Sequence, residues 1–171
     1  MKKFSVIILV CISLLACGGG KKPFEKHFGK VFGKEQFRGI QIGDSYNKVL
    51  KAENDKFMLF PDSALLKYRY AVTDSEEYHW SYIFADDKVK LILFDAYLGQ
   101  ESDGARYSNM IYKKYTALWG EPVQKDNIST WNKDGITADL INESEIVMMG
   151  KVKFCIYASG DTAVKKYIPE L

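Results

Sequence analysis

Chemistry-bearing residues are scarce in this sequence: three cysteines, two histidines and four prolines among 171 residues. Each scarcity excludes something. Cys11 and Cys17 lie in and beside an apolar N-terminal run, which leaves Cys155 alone in the body of the chain. A disulfide framework and a zinc site built on cysteine are thereby excluded. The spacings of a G-x-S-x-G nucleophile elbow and of a twelve-residue calcium loop are absent, as is a phosphate loop. No apolar run reaches the roughly 20 residues that a membrane-spanning helix needs. Charge of one sign is lacking too, with 24 basic against 22 acidic residues. A nucleic-acid partner calls for a basic face, so none is expected. No catalytic residue, metal site or cofactor is expected either.

The N-terminus is more explicit. Lys2 and Lys3 precede residues 4–15, apolar but for Ser5 and Ser13, and the run closes on Leu14-Leu15-Ala16-Cys17. A basic start and a short apolar stretch read as an export signal. The closing residues resemble the lipobox of bacterial lipoproteins. That resemblance implies cleavage after Ala16 and lipidation of Cys17, and two or more acyl chains hold a protein stably at a bilayer. Residue 18 is Gly rather than Asp, so the chain lacks what resembles the inner-membrane retention signal. An outer membrane, with the domain facing the periplasm, is the expected address, or the cell membrane where an organism has only one. Loss of Lys2 and Lys3 with the leader brings the 24 basic residues level with the 22 acidic ones.

Beyond the leader, residues 17–38 read as the lipidated cysteine and a basic Gly/Lys/Phe tether. Phe24, Phe28 and Phe32 recur on one helical face behind Pro23, which also suits a short helix in the lipid interface or packed on the domain. Residues 39–171 read as a single domain of two similar halves, about 39–99 and 100–171. In the first, Gly43-Asp44-Ser45 turns and caps a helix through Tyr46, Val49 and Leu50. After a break at residues 60–62, alternation marks three strands: Leu66, Tyr68, Tyr70 and Val72; Tyr78, Trp80, Tyr82 and Phe84; Val89, Leu91 and Leu93. In the second, Tyr107, Met110, Ile111, Lys114, Tyr115, Leu118 and Trp119 trace a stronger helix that ends at Gly120 and Pro122. Strands are expected over residues 128–131, 136–141, 145–149 and 152–158, with a hairpin turn at residues 132–135 and a closing helical turn within residues 161–167. The fold class is α+β: two tandem helix-plus-antiparallel-meander units, αβββ-αβββ-like, with the helices on one face of the sheet.

Ile40-Gln41-Ile42-Gly43-Asp44-Ser45 opening one helix, and Leu118-Trp119-Gly120-Glu121-Pro122 closing the other, carry a resemblance over residues 39–158. The single unit resembles the small lipoproteins of the outer-membrane β-barrel assembly machinery. The doubled unit resembles the β-lactamase-inhibitor-protein family. Both resemblances imply a fold that offers a sheet face or loop edge to another protein, and neither carries a functional residue over.

Candidate interaction residues are therefore aromatic: Tyr78, Trp80, Tyr82 and Trp131, read either as core or as a solvent-facing platform. Cys155 lies in an apolar strand, where a buried inert thiol is the ordinary state, although a pair with His79 across the sheet is conceivable. The expected role is non-enzymatic: a membrane-anchored envelope lipoprotein acting as a protein-interaction, inhibitor or assembly-type domain, partnered by the membrane through Cys17 and by another envelope protein. A glycan- or peptide-binding module is the second reading and a hydrolase the third.

Overall fold

The computed structural model describes residues 20–33, 35–161 and 166–167. The leader, Cys17 and most of the expected closing turn lie outside them. Helix α1 spans Pro23–Phe32, α2 Tyr46–Ala52, α3 Glu101–Trp119 and the short α4 Ser144–Val147. The strands are β1 Met58–Asp62, β2 Leu65–Ala71, β3 Glu77–Ala85, β4 Lys88–Leu98, β5 Val123–Lys125, β6 Ile128–Lys133, β7 Ile136–Asn142 and β8 Gly150–Ala158. They form one antiparallel sheet of eight strands in the order β1-β2-β3-β4-β8-β7-β6-β5. The fold is mixed α+β and dominated by its sheet.

Each meander has four strands where the sequence pattern predicts three in the first half. The two strands that the pattern misses, β1 and β5, are the sheet edges. Four of the five β1 residues and all three of β5 are exposed. An edge strand with no buried face shows no alternation. Pro61 fits in β1 because an edge residue can go without its backbone N–H. Conversely, residues 145–149 do not form the expected strand. Their β-branched, apolar composition mimics one, yet residues 144–147 turn as α4 and Met148 adopts a left-handed φ of 55°.

Local signals place the turns. The Ser45 hydroxyl accepts from the Lys48 N–H at the start of α2. Gly120, at φ 89°, closes α3, a conformation that costs glycine little. Asp134 and Gly135 are both left-handed, as a two-residue hairpin requires. Helix α3 is about 28 Å long at 1.5 Å per residue. It crosses the sheet from β4 over β8, β7 and β6, carrying the chain from the middle of the sheet to its far edge. Near its start the backbone must come close to α4 and β8: a Cβ on Gly104 would lie 2.0 Å from the Ser144 hydroxyl.

The expected tether needs correction. Phe24 and Phe32 are fully buried, as is Phe37 beyond the helix. Helix α1 does form on the Phe face, but that face enters the core rather than a lipid interface. Phe32 is the hub. Its ring meets Phe94 of β4 at 5.1 Å, Phe154 of β8 at 5.7 Å, Tyr107 of α3 at 6.2 Å and Phe37 at 5.6 Å. Polar contacts hold both ends of the helix. Glu25 pairs with Arg106 and Lys22 with Asp103. The Lys114 ammonium donates to the Phe32 and Gly33 carbonyls at 2.8 and 3.1 Å, satisfying acceptors that a helix end leaves open. The folded body therefore begins near residue 22, not 39.

The side chains of α1, α2 and α3 share one core with the inward rows of the sheet, Tyr82-Ile92-Ile156, Trp80-Phe94-Phe154 and Tyr78-Ala96-Val152. Phe32→Ala should cost about 3–5 kcal/mol of unfolding free energy, as large-to-small core changes do. Denaturant titration of the variant against wild type checks this. A loss below about 1 kcal/mol would mean that α1 is not part of the fold.

Candidate functional site

With α1, α2 and α3 on one face, the alternate residues of the central strands point to the other, where none of these three helices packs. Register sets what this second face carries. Leu65, Ile83, Leu91 and Tyr157 align across β2, β3, β4 and β8. Lys67, Ser81, Leu93 and Cys155 form the next row, and Arg69, His79, Asp95 and Lys153 the third. Glu77, Tyr97 and Lys151 follow.

The last two rows are an alternating charge network. Arg69 Nε donates to Glu77 Oε2 at 2.6 Å, and the other Glu77 oxygen lies 2.9 Å from His79 Nε2. Glu143, just before α4, receives Lys151 at 2.6 Å and Lys153 at 3.2 Å. Burial would raise both carboxyls, but the hydrogen bonds and charges of their basic partners win, and both sit below the usual Glu range. Asp95 lies between the two clusters, opposite His79 on one side and Lys153 on the other. Burial raises its carboxyl, and Lys153 and Lys151 offset that only in part.

Toward β7 the face becomes hydroxyl-rich. Asp139, almost fully buried, accepts from Thr130 Oγ1 at 2.6 Å and Tyr157 OH at 2.7 Å. Thr137 bonds Asn132 and Ser159, each at 2.8 Å. Beside the charged rows, Arg69, Glu77, Tyr97 and Met149 line a groove of about 480 Å³. Met149, at the rim of this groove, ends an exposed apolar stretch that begins in α4, where Ile146 is 74% and Met148 87% exposed, with Val147 also exposed.

The residues singled out from sequence fall elsewhere. Tyr78, Trp80, Tyr82 and Trp131 are all buried on the helix side. They form no solvent-facing platform, because the aromatic row is the face on which α1 and α3 close. Cys155 is fully buried, and its thiol lies 3.8 Å from the Asp139 carbonyl. Burial, reinforced by Asp139, pushes that thiol far above its ordinary value, away from nucleophilic use. His79 does share the helix-free face with it, but β4 lies between their strands and they occupy different rows. Among the described residues, no group of three or more His, Cys, Asp or Glu side chains is placed to hold a metal ion. Of the residues that sequence reasoning missed, Asp95, Glu77 and Lys153 are single charges at alternate strand positions and Glu143 caps α4. Alternation assigns the first three a face. Only register brings them together.

Trp80 belongs to a second arrangement. The Glu53 side chain, 1% exposed, ends α2. It accepts from Arg38 Nε at 2.8 Å, Trp80 Nε1 at 3.2 Å and Tyr82 OH at 2.5 Å. The Arg38 guanidinium lies 4.8 Å from the centre of the Trp80 ring. The far side of that ring stacks on Tyr68 at 5.4 Å and 9°. Next to this stack, a cavity of about 270 Å³ opens among His27, Lys30, Val31, Arg38, Phe57, Tyr70 and Trp80.

Comparison with protein-family models, with curated proteins and with solved structures finds no match for this chain.

The half-buried Asp95 charge should cost stability. Its folded-state value is raised, so the cost is present at neutral pH and vanishes as pH falls and the carboxyl protonates. Asp95→Asn should therefore melt a few degrees above wild type at pH 7, with the gap closing toward pH 4. Thermal denaturation across that range checks it, and a variant that melts lower at pH 7 contradicts it.

Proposed function

We propose that this chain is a lipid-anchored envelope protein whose domain binds another protein and performs no chemistry of its own. The observation that carries the binding role is the exposed Ile146-Val147-Met148-Met149 segment beside the charged, helix-free sheet face. An exposed Leu or Val alone means little, but contiguous bare apolar side chains rimmed by charge mark interaction sites. Methionine adapts its shape to a partner. Alternating charges around such an anchor set register and select a partner more than they add affinity.

The anchor reading rests on residues 1–17. With the body beginning near residue 22, five residue-to-residue steps connect Cys17 to it, which bridge at most about 18 Å. The domain would thus be held close to its membrane, probing partners within or beside it rather than at the end of a long leash. The address proposed is the outer membrane, periplasmic side, or the cell membrane of an organism with one. We further propose that the two halves are a duplicated helix-and-meander unit, akin to the two lipoprotein and inhibitor families named above. The mirrored strand order about the β4–β8 junction supports this.

Two experiments test the proposal. Cys17→Ser should abolish acyl labelling and release the protein from membranes, and labelling equal to wild type refutes the anchor. A photocrosslinking residue placed at Met148, which is too exposed to affect folding, should give a discrete protein adduct in intact cells. Lipid adducts alone, or none, would contradict the protein-binding role.

A further inference from the structure

The cavity between α1 and the first meander is built from five parts of the chain. His27, Lys30 and Val31 come from α1 and Arg38 from the loop after it, while Phe57 precedes β1, Tyr70 lies on β2 and Trp80 on β3. Its walls are aromatic: the His27 and Tyr70 rings meet at 5.2 Å, and Phe57 stands edge-on to Tyr70 at 5.1 Å. Three of its donors are left without a hydrogen bond. Glu53 takes the Nε of Arg38 and the Lys30 carbonyl takes Nη1, which leaves Nη2 with no hydrogen bond among the described residues. The Lys30 ammonium and the Tyr70 hydroxyl likewise have no hydrogen bond or ion pair among them. Among the described residues no carboxylate lines the space, and the Lys56 ammonium lies 5.6 Å from the centre of the Phe57 ring.

We propose that this pocket is a binding site for a small organic carboxylate with a flat apolar body, its head on Arg38 and Lys30 and its body among Phe57, Tyr70 and His27. A guanidinium edge and an ammonium suit an anionic head. Aromatic walls suit an apolar body, and few ligand sites depart from this mixture of apolar lining and convergent polar groups. The volume matches a ligand the size of one substituted ring, not an extended polymer. The local field agrees. Burial chiefly, with Lys30 and Lys26 adding to it, depresses the His27 imidazole below its ordinary value, so this wall of the pocket brings no negative charge against an anion. This site lies on the helix side of the sheet. It stands or falls independently of the protein-binding face proposed above.

Equilibrium dialysis of the full chain in detergent against radiolabelled phenylacetate tests the proposal. Phenylacetamide serves as the neutral control and inorganic phosphate as the anion without a body. Saturable one-site uptake of phenylacetate is expected, with a Kd of about 1 mM or tighter. Phenylacetamide and phosphate should each compete at least tenfold more weakly. Arg38→Gln strips the buried Glu53 of its counter-charge and can unfold the protein, so the decisive variants are Lys30→Gln, at an exposed side chain, and Phe57→Ala. Each should weaken binding several-fold, and Lys30→Arg should restore it. Absence of saturable uptake, equal competition by the amide or by phosphate, or unchanged binding in Lys30→Gln would each overturn the proposal.

Discussion

The Glu53 carboxylate is where separate parts of this chain become answerable to one another. A charge taken out of water costs several kcal/mol unless partners replace the solvent. Glu53 is nearly inaccessible, and its partners arrive from the loop after α1 and from two positions on β3. Each must be in place for the others to be tolerable. Arg38 adopts a left-handed φ of 55° to reach it, an uncommon conformation for a residue with a side chain. Its guanidinium then covers Trp80, which rests on Tyr68. One carboxylate thereby fixes the end of α2, the direction of the loop and the rings of the first meander.

The position of α1 follows. The loop that delivers Arg38 also carries Phe37 into the core and presents the Gln36 carbonyl to Tyr115 OH at 2.5 Å. The helix before it has little choice but to lay its Phe face between α3 and the sheet. Phe32 then joins both halves, since it touches β4 on one side and β8 and α3 on the other. With α1, α2 and α3 spent on one face, the other carries charge and hydroxyls among the described residues, with Met149 of the bare apolar stretch at its groove. The functional asymmetry of the sheet is a consequence of how its core is closed.

Much of the fold was legible because burial leaves a periodic trace. The rows Tyr78-Trp80-Tyr82 and Leu91-Leu93, the stripe of α3, the cap at Ser45 and the hairpin at Asp134-Gly135 all appear in the one-dimensional pattern. β1 and β5 do not, since an exposed edge strand has no face to mark. The segment at residues 145–149 misled because Ile and Val favour strands while its neighbours here form a turn. The candidate site was less legible still. The aromatic residues that drew attention are core, and composition cannot tell a ring that closes a core from one that greets a ligand. In sequence Glu53 is only one more helically spaced position after Val49 and Leu50, yet its role depends on Arg38, Trp80 and Tyr82, which lie 15, 27 and 29 residues away. Asp95 and its neighbours needed the register of four strands.

A double-mutant cycle on Arg38 and Glu53 tests this dependence most directly. Arg38→Met, Glu53→Gln and the double variant would be compared with wild type by denaturant unfolding. If the carboxylate organises the first half as argued, each single change costs about 3 kcal/mol or more, and the double variant costs far less than their sum. The coupling energy should then exceed about 2 kcal/mol. A coupling below about 0.5 kcal/mol would show that the pair is an incidental contact and that the placement of α1 and its loop has another cause.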